Sequence, residues 1–171
     1  MNKKLKHSLL ALIYAVVLVA IDRISKILAV KYLSGGNEVV IIKSVFTLRY
    51  LENRGAAFGM LQNKQILFVI LTIVVMLIVV KVFLDLPDEK RFRPLAVIFV
   101  FLFAGALGNL IDRLMNGYVV DFFYFVLIDF PIFNMADIYV SVSVTVLIIL
   151  MVFYYKEEDF SIIFKKESSD K

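Results

Sequence analysis

Cysteine is absent from the 171-residue sequence, and histidine occurs once, at His7. The absence of cysteine excludes disulfides, thiol nucleophiles and thiolate metal sites, and it leaves the chain no cysteine of its own for a lipid anchor. A single histidine ahead of the first apolar run excludes a catalytic Ser-His triad. No group of His, Asp and Glu residues has the spacing of a catalytic zinc site, so we expect no metal and no other cofactor.

Charged residues are also few. They make up 20% of the chain, against 61% hydrophobic residues, and the mean hydropathy is +0.89. This composition lies outside the range of soluble globular domains and indicates a membrane protein. The net charge of +4 is small and forms no basic stripe. We therefore expect contact with membrane lipids and no binding of nucleic acid.

Four apolar runs are long enough to cross a bilayer, which takes about 20 residues. They are Leu9–Val30, Ile66–Leu84, Leu95–Ile111 and Ile138–Tyr155. The first run follows three lysines, as a signal peptide does, but Asp22, Arg23 and Lys26 stand where a cleavage site should be. The sequence thus predicts a retained first helix and a four-transmembrane-helix bundle, forming one membrane domain over residues 1–171.

The distribution of Lys and Arg predicts the orientation of the bundle. These residues are denser in 1–7, 81–94 and 156–171 than in the two segments on the other side, 30–65 and 113–135. Positive charge is retained preferentially on the cytoplasmic side of a membrane. We therefore expect both termini, including a tail over 156–171, to be cytoplasmic.

The two outer segments differ in pattern. Phe46, Leu48 and Tyr50 alternate with Thr47 and Arg49, which is typical of a strand. We predict a small extracytoplasmic β-sheet over residues 37–59, between the first two helices. Between the third and fourth helices we predict an outer loop.

Polar residues gather at one depth when they are placed on this topology. Asp22 and Lys26 fall late in the first helix, Asn109, Asp112 and Arg113 fall late in the third, and Asp137 begins the fourth. The segments that carry Asn53, Asp121 and Asn134 are connected to the same outer ends of these helices. Ionisable groups within a membrane are costly and indicate function by default. The predicted site lies at the outer face.

Several of these residues also have a purely structural interpretation. Asp22 and Lys26 are four residues apart and suit a simple helix ion pair, as well as they suit substrate positioning. Ala104 and Gly108 have the spacing that lets helices pack closely. Arg113 can satisfy the negative end of its helix or grip a carbonyl group.

Asp121, Asp129 and Asp137 differ from the other acids because no Lys or Arg occurs between Arg113 and Lys156. Two carboxyl groups that share one proton carry a single negative charge between them, and aspartic peptidases use this arrangement to activate water. The pattern does not decide which two of the three form the pair. A small ion-coupled transporter is the main alternative, although its polar site is expected near the bilayer midplane. A noncatalytic assembly factor is the other.

Five motifs resemble those of the bacterial prolipoprotein signal peptidase family, also called signal peptidase II. They are Asp22–Lys26 (DRISK), Asn53–Gly59 (NRGAAFG), Gly105–Arg113 (GALGNLIDR), Val119–Phe122 (VVDF) and Phe133–Asp137 (FNMAD). The resemblance covers nearly the whole chain and keeps the family's motif order. It implies an aspartic endopeptidase of the cytoplasmic membrane, which we expect to be a monomer. The implied substrate is a precursor with a diacylglyceryl-modified cysteine, cut on the N-terminal side of that cysteine.

The resemblance also implies roles for individual residues. It selects Asp121 and Asp137 as the catalytic pair and removes Asp129. The implied substrate-binding residues are Asn53, Asn109, Arg113 and Asn134. The implied supporting residues are Asp22, Lys26, Gly55, Gly105, Gly108 and Asp112.

Overall fold

The computed structural model describes residues 3–55 and 64–164, and four of its helices are long and apolar enough to cross a membrane. They are α1 (Lys3–Leu33), α2 (Gln65–Asp85), α3 (Arg93–Asn116) and α4 (Met135–Phe153). The prediction of four apolar helices is confirmed. Their outward faces carry many exposed aliphatic side chains, which suit a lipid environment better than water.

The helix ends reach into polar sequence that hydropathy alone does not assign. Helix α3 continues beyond the predicted Ile111 to Asn116, where Gly117 takes the left-handed conformation (φ 75°) and its N–H donates to the Arg113 carbonyl at 3.1 Å. Helix α4 begins before the predicted Ile138, because Asn134 caps it. Asp112, Arg113 and Asp137 therefore all lie on helices.

Helix α3 is the central element of the bundle. Half of the residues in its apolar stretch are buried, against 11%, 6% and 17% of those in the apolar stretches of α1, α2 and α4. Two glycines permit this close packing. A Cβ on Gly105 would lie 2.6 Å from the carbonyl oxygen of Ala136, and one on Gly108 would lie 2.5 Å from the carboxylate of Asp22. Helices α1 and α4 thus meet α3 where its side chains are smallest.

A three-stranded antiparallel sheet caps one end of the bundle, which we call the site end. Its strands are β1 (Glu38–Ile42), β2 (Phe46–Asn53) and β3 (Val119–Phe125), in that order. The predicted small sheet is confirmed, but its third strand comes from the segment that was predicted only as a loop. Residues 56–59 of the predicted sheet segment lie outside the described residues.

The chain reverses sharply between β3 and α4. A 3₁₀ turn at Val126–Ile128 is followed by Asp129 in the left-handed region (φ 47°), and Phe133 then pairs with Phe123 through reciprocal backbone hydrogen bonds. This reversal places Asn134 beside strand β3. Residues of α1 and β3 share a buried apolar cluster formed by Ala29, Leu33, Val120 and Phe122. The sheet is therefore fixed to the helices.

The opposite end of the bundle contains a fifth helix, α5 (Glu157–Phe164), in the predicted tail. Asp159 accepts two hydrogen bonds from Arg91, at 2.5 and 2.6 Å. Tyr155 donates its hydroxyl to the Arg91 carbonyl at 2.9 Å and stacks on Phe92. These contacts join the α2–α3 connection to the end of α4. Residues 165–171 of the tail lie outside the described residues.

Candidate active site

Asp121 and Asp137 meet around one residue, Asn134. The Asn134 side chain donates to Asp121 Oδ1 at 2.6 Å, and its backbone N–H donates to Asp137 Oδ2 at 3.0 Å. Asn134 Oδ1 in turn accepts from the Asp137 N–H at 3.1 Å, which completes a capping box at the start of α4. The same cap that starts the helix therefore brings the two carboxyl groups together.

Two further asparagines supply the remaining donors to the pair. Asn53 donates to Asp121 Oδ2 at 2.8 Å, and Asn109 donates to Asp137 Oδ1 at 2.7 Å. Strand register explains the first contact, because Leu51 pairs with Asp121 and Asn53 is the next residue on the same face of β2. The Gly55 N–H donates to Asn53 Oδ1 at 3.0 Å, which turns the Asn53 amide nitrogen toward Asp121.

Burial dominates the electrostatics of Asp121, which is 1% exposed. Burial raises the pKa of Asp121 to about 7, and the neighbouring Asp137 carboxylate adds to this rise. Hydrogen bonds from Asn53 and Asn134 oppose it. A carboxyl group with this pKa can keep its proton near neutral pH, beside a second carboxylate that lacks one. The arrangement can therefore supply a general acid and a general base together.

A second buried cluster lies next to the pair. Lys26 Nζ lies 3.0 Å from Asp22 Oδ2 and 3.0 Å from Asp112 Oδ2, and it donates to Asn109 Oδ1 at 2.8 Å. Arg23 pairs with the other oxygen of Asp112. Asp22, Lys26 and Asp112 are all at most 1% exposed. Buried charges of this kind are retained only when each has a partner.

Backbone groups complete the partners of these two acids. Asp22 Oδ1 accepts from the Ala136 N–H at 3.0 Å, and Asp112 Oδ2 accepts from the Val120 N–H at 3.2 Å. Asp22 thus ties α1 to the first turn of α4, and Asp112 ties α3 to β3. The predicted supporting residues hold together the elements that carry Asp121 and Asp137.

Arg113 stands apart from this network. Its guanidinium lies 5.0 Å from the ring centroid of Phe68, and its charge interacts with Asp137 and Asp121. Its buried Nε has no hydrogen-bond partner among the described residues. The side chain therefore has a free donor close to the pair.

The structure separates Asp129 from the other acids. Asp129 is exposed and accepts a hydrogen bond from the Tyr124 hydroxyl at 2.6 Å, and the Arg49 guanidinium lies 4.7 Å from the Tyr124 ring. Arg49 belongs to β2 and reaches this position across the sheet. The lack of Lys or Arg near Asp129 in the sequence therefore does not describe its surroundings in the fold. Gly105 and Gly108 lie at helix contacts and not among the hydrogen-bonded groups.

Sequence reasoning missed two contributors. Arg23, the partner of Asp112, lies within the first motif and three residues before Lys26, a spacing that places both cations on one helix face. Phe68, which faces Arg113, had no signal in the sequence. Across residues 3–55 and 64–164, no group of three His, Asp or Glu residues is placed to hold a metal ion.

The chain matches a known protein family along most of its length. The family model described as "Signal peptidase (SPase) II" matches residues 14–153. The lipoprotein signal peptidase of Clostridium novyi (strain NT) is 43% identical over 145 residues, covering 83% of this chain and 95% of that protein. The lipoprotein signal peptidase of Caldanaerobacter subterraneus subsp. tengcongensis is 41% identical over 145 residues, covering 84% and 97%.

Two solved structures, both described as a bacterial membrane enzyme studied by the in meso method, share the fold. The one at 2.3 Å resolution is 32% identical, with a TM-score of 0.74, and the match covers 86% of this chain and 92% of that one. The one at 1.9 Å is also 32% identical, with a TM-score of 0.73 and coverage of 85% and 94%. These relatives give no support to an ion-coupled transporter. The chain belongs to the signal peptidase II family.

Proposed function

We propose that this chain is a membrane-embedded aspartic endopeptidase that removes signal peptides from prolipoproteins, with Asp121 and Asp137 as its catalytic pair. The observation that carries the proposal is the pairing of two carboxyl groups around Asn134, each with two hydrogen-bond donors. Family membership supports the substrate class, because the relatives are named lipoprotein signal peptidases.

The helix position of Asp137 favours different roles for the two acids. Burial acts on both carboxyl groups and raises the pKa of Asp121 to about 7. Asp137 alone lies in the first turn of α4, where the helix dipole favours negative charge. In the free enzyme, Asp137 is then the base and Asp121 holds the shared proton. Both oxygens of Asp137 accept from N–H groups of Asn109 and Asn134, which fixes the direction from which the carboxylate can reach a water molecule.

The reaction proceeds in two balanced steps. Asp137 removes a proton from water while the resulting hydroxide attacks the scissile carbonyl carbon, and Asp121 gives its proton to the carbonyl oxygen. As the tetrahedral intermediate collapses, Asp137 gives its proton to the leaving nitrogen and Asp121 recovers a proton from the hydroxyl oxygen. The pair returns to its starting state with one shared proton.

The neighbouring polar residues position the substrate in this scheme. Arg113, whose charge acts on both acids, can donate to a peptide carbonyl through its guanidinium group. Asn53, Asn109 and Asn134 fix the carboxyl groups and border the same space. The higher density of Lys and Arg in 1–7, 81–94 and 156–171 favours a site end on the outside, with both termini in the cytoplasm. A bond on the N-terminal side of a lipidated cysteine can reach this depth while its acyl chains stay in the bilayer.

Purified monomeric protein in detergent, given a diacylglyceryl-modified precursor, tests the proposal. Asp121→Asn and Asp137→Asn should each fold and lose about 100- to 10,000-fold in cleavage rate, which is the usual contribution of general acid-base catalysis. Asp129→Asn is the matched control and should cleave like the wild type, because that acid is exposed and outside the cluster. Substantial cleavage by either of the first two variants contradicts the catalytic pair.

A further inference from the structure

Burial closes Lys26 to a substrate, because its side chain is 1% exposed. Its ammonium group donates to Asn109 Oδ1 at 2.8 Å and forms ion pairs with Asp22 and Asp112 at 3.0 Å. Lys26 can therefore affect the reaction in two ways, through a neighbour that it contacts or through space by its charge, which acts on Asp121 and Asp137.

The neighbour that connects Lys26 to the catalytic pair is Asn109. Asn109 Oδ1 accepts from Lys26 at 2.8 Å and from the Asn134 side chain at 3.2 Å, while its Nδ2 donates to Asp137 at 2.7 Å. A reversed amide would put its NH₂ group against two donors and its oxygen against a carboxylate. Lys26 and Asn134 thus enforce the orientation that gives Asp137 an N–H.

We infer that Lys26 is a positioning residue for the reaction, acting by locking the Asn109 amide so that it always presents an N–H to Asp137. This inference rests on the proposed function, in which Asp137 is the base. A locked donor holds one Asp137 oxygen in place and favours the form that can take a proton from water. Without the lock, Asn109 can present its oxygen instead, and only a protonated Asp137 can donate to that oxygen.

The contact with Asn109 supplies orientation in addition to the charge of Lys26, which acts on Asp121 and Asp137 through space. The formal charges of Asp22 and Asp112 are balanced by those of Lys26 and Arg23. Arg113, on α3, is a second cation whose charge acts on the pair. Replacing Lys26 alone would leave two buried carboxylates with one cation, which risks unfolding. The replacement therefore needs a compensating change at Asp22.

A four-variant cycle in an Asp22→Asn background isolates the effect. This background substitution keeps a side-chain oxygen for the Ala136 N–H, which Asp22 Oδ1 accepts at 3.0 Å. Its NH₂ group replaces Oδ2 beside Lys26, so every rate is compared with this background and not with the wild type. The other three variants add Lys26→Met, Asn109→Ala, or both. We expect kcat to fall about 10- to 100-fold with either added change, the size of one hydrogen bond to a charged group, with KM little altered. The combined variant should lose no more than either alone, because both changes remove one interaction.

A second replacement separates orientation from charge and protects the test against misfolding. Lys26→Gln, in the same Asp22→Asn background, keeps an N–H donor for Asn109 but has no charge. It should retain clearly more kcat than Lys26→Met, whereas a role for the charge alone makes the two equal. Thermal unfolding in detergent identifies which variants are folded.

Three results overturn the inference. The first is a pair of losses that multiply in the combined variant, which means that Lys26 and Asn109 act independently. The second is a loss confined to KM. The third is equal kcat for Lys26→Gln and Lys26→Met. Failure of the proposed function has a different signature, because Asp137→Asn would then still cleave precursor.

Discussion

The hydrogen bond from Asn53 to Asp121 gives a quantitative test of the shared proton. The two atoms lie 2.8 Å apart, and Asn53 Nδ2 can only donate, so the bond stabilises the ionised form of Asp121. Asn53→Ala removes this donor and leaves the burial that raises the Asp121 pKa in place. The pKa of Asp121 should therefore rise further above about 7.

The size of this effect follows from the strength of the bond. A hydrogen bond to a charged group contributes about 1.5 to 3 kcal/mol, and 1.36 kcal/mol corresponds to one pKa unit, so the expected rise is about one to two units. The pair needs one proton, and activity falls when pH exceeds the pKa of the group that holds it. The alkaline limb of the rate profile should move from about pH 7 in the wild type to about pH 8 to 9 in Asn53→Ala.

The measurement is kcat/KM against pH for cleavage of a lipidated precursor in detergent, because kcat/KM reports the pKa of the free enzyme. Asp129→Asn is again the control, and its alkaline limb should coincide with that of the wild type. A limb that stays in place, or moves to lower pH, refutes the reasoning, because the lost donor can only disfavour ionisation. Only the pH at which the alkaline limb falls tests the reasoning. The plateau rate does not, because it also decreases if Asp121 becomes less well positioned.

Three further predictions concern packing and the opposite end. Gly105→Ala should lower the unfolding temperature more than Gly108→Ala, because its Cβ meets a backbone carbonyl at 2.6 Å, with overpacking costing about 1 to 3 kcal/mol. Gly108→Ala should instead chiefly reduce kcat, because its Cβ displaces the Asp22 carboxylate. Asp159→Asn should reduce thermal stability without altering kcat, since its pairing with Arg91 lies at the end remote from the site. Differential scanning fluorimetry and the precursor assay check all three.

Hydropathy was enough to predict the helices but not their ends. Long apolar runs have no alternative in a bilayer, because a helix satisfies its own backbone groups. The end of α3 and the start of α4 lie in polar sequence. Hydropathy therefore ended α3 too early, at Ile111, and began α4 too late, at Ile138. Gly117 and the spacing of Asn134 and Asp137 were the local signals of those ends.

The third strand of the sheet could not be predicted from the sequence. Strand β3 is the run Val119–Phe125, which is rich in residues that form strands but has its partner about 70 residues earlier in the chain. Pairing over that distance depends on the register with β2, which neither segment encodes alone. The same limitation explains Asp129, whose neighbour Arg49 comes across this sheet. Motif resemblance, not charge counting, excluded it from the pair.

The site end holds its buried charge in two groups. The charge balance of the second group explains why Asp121 and Asp137 retain one proton. Two acids balance Lys26 and Arg23 in one group, while Arg113 faces the catalytic pair in the other. The second group is formally neutral only when Asp121 and Asp137 share one proton. Since uncompensated charge is expensive in a low-dielectric interior, burial itself opposes loss of that proton. Asn109 then joins the groups through an amide, which passes on orientation without adding charge to either.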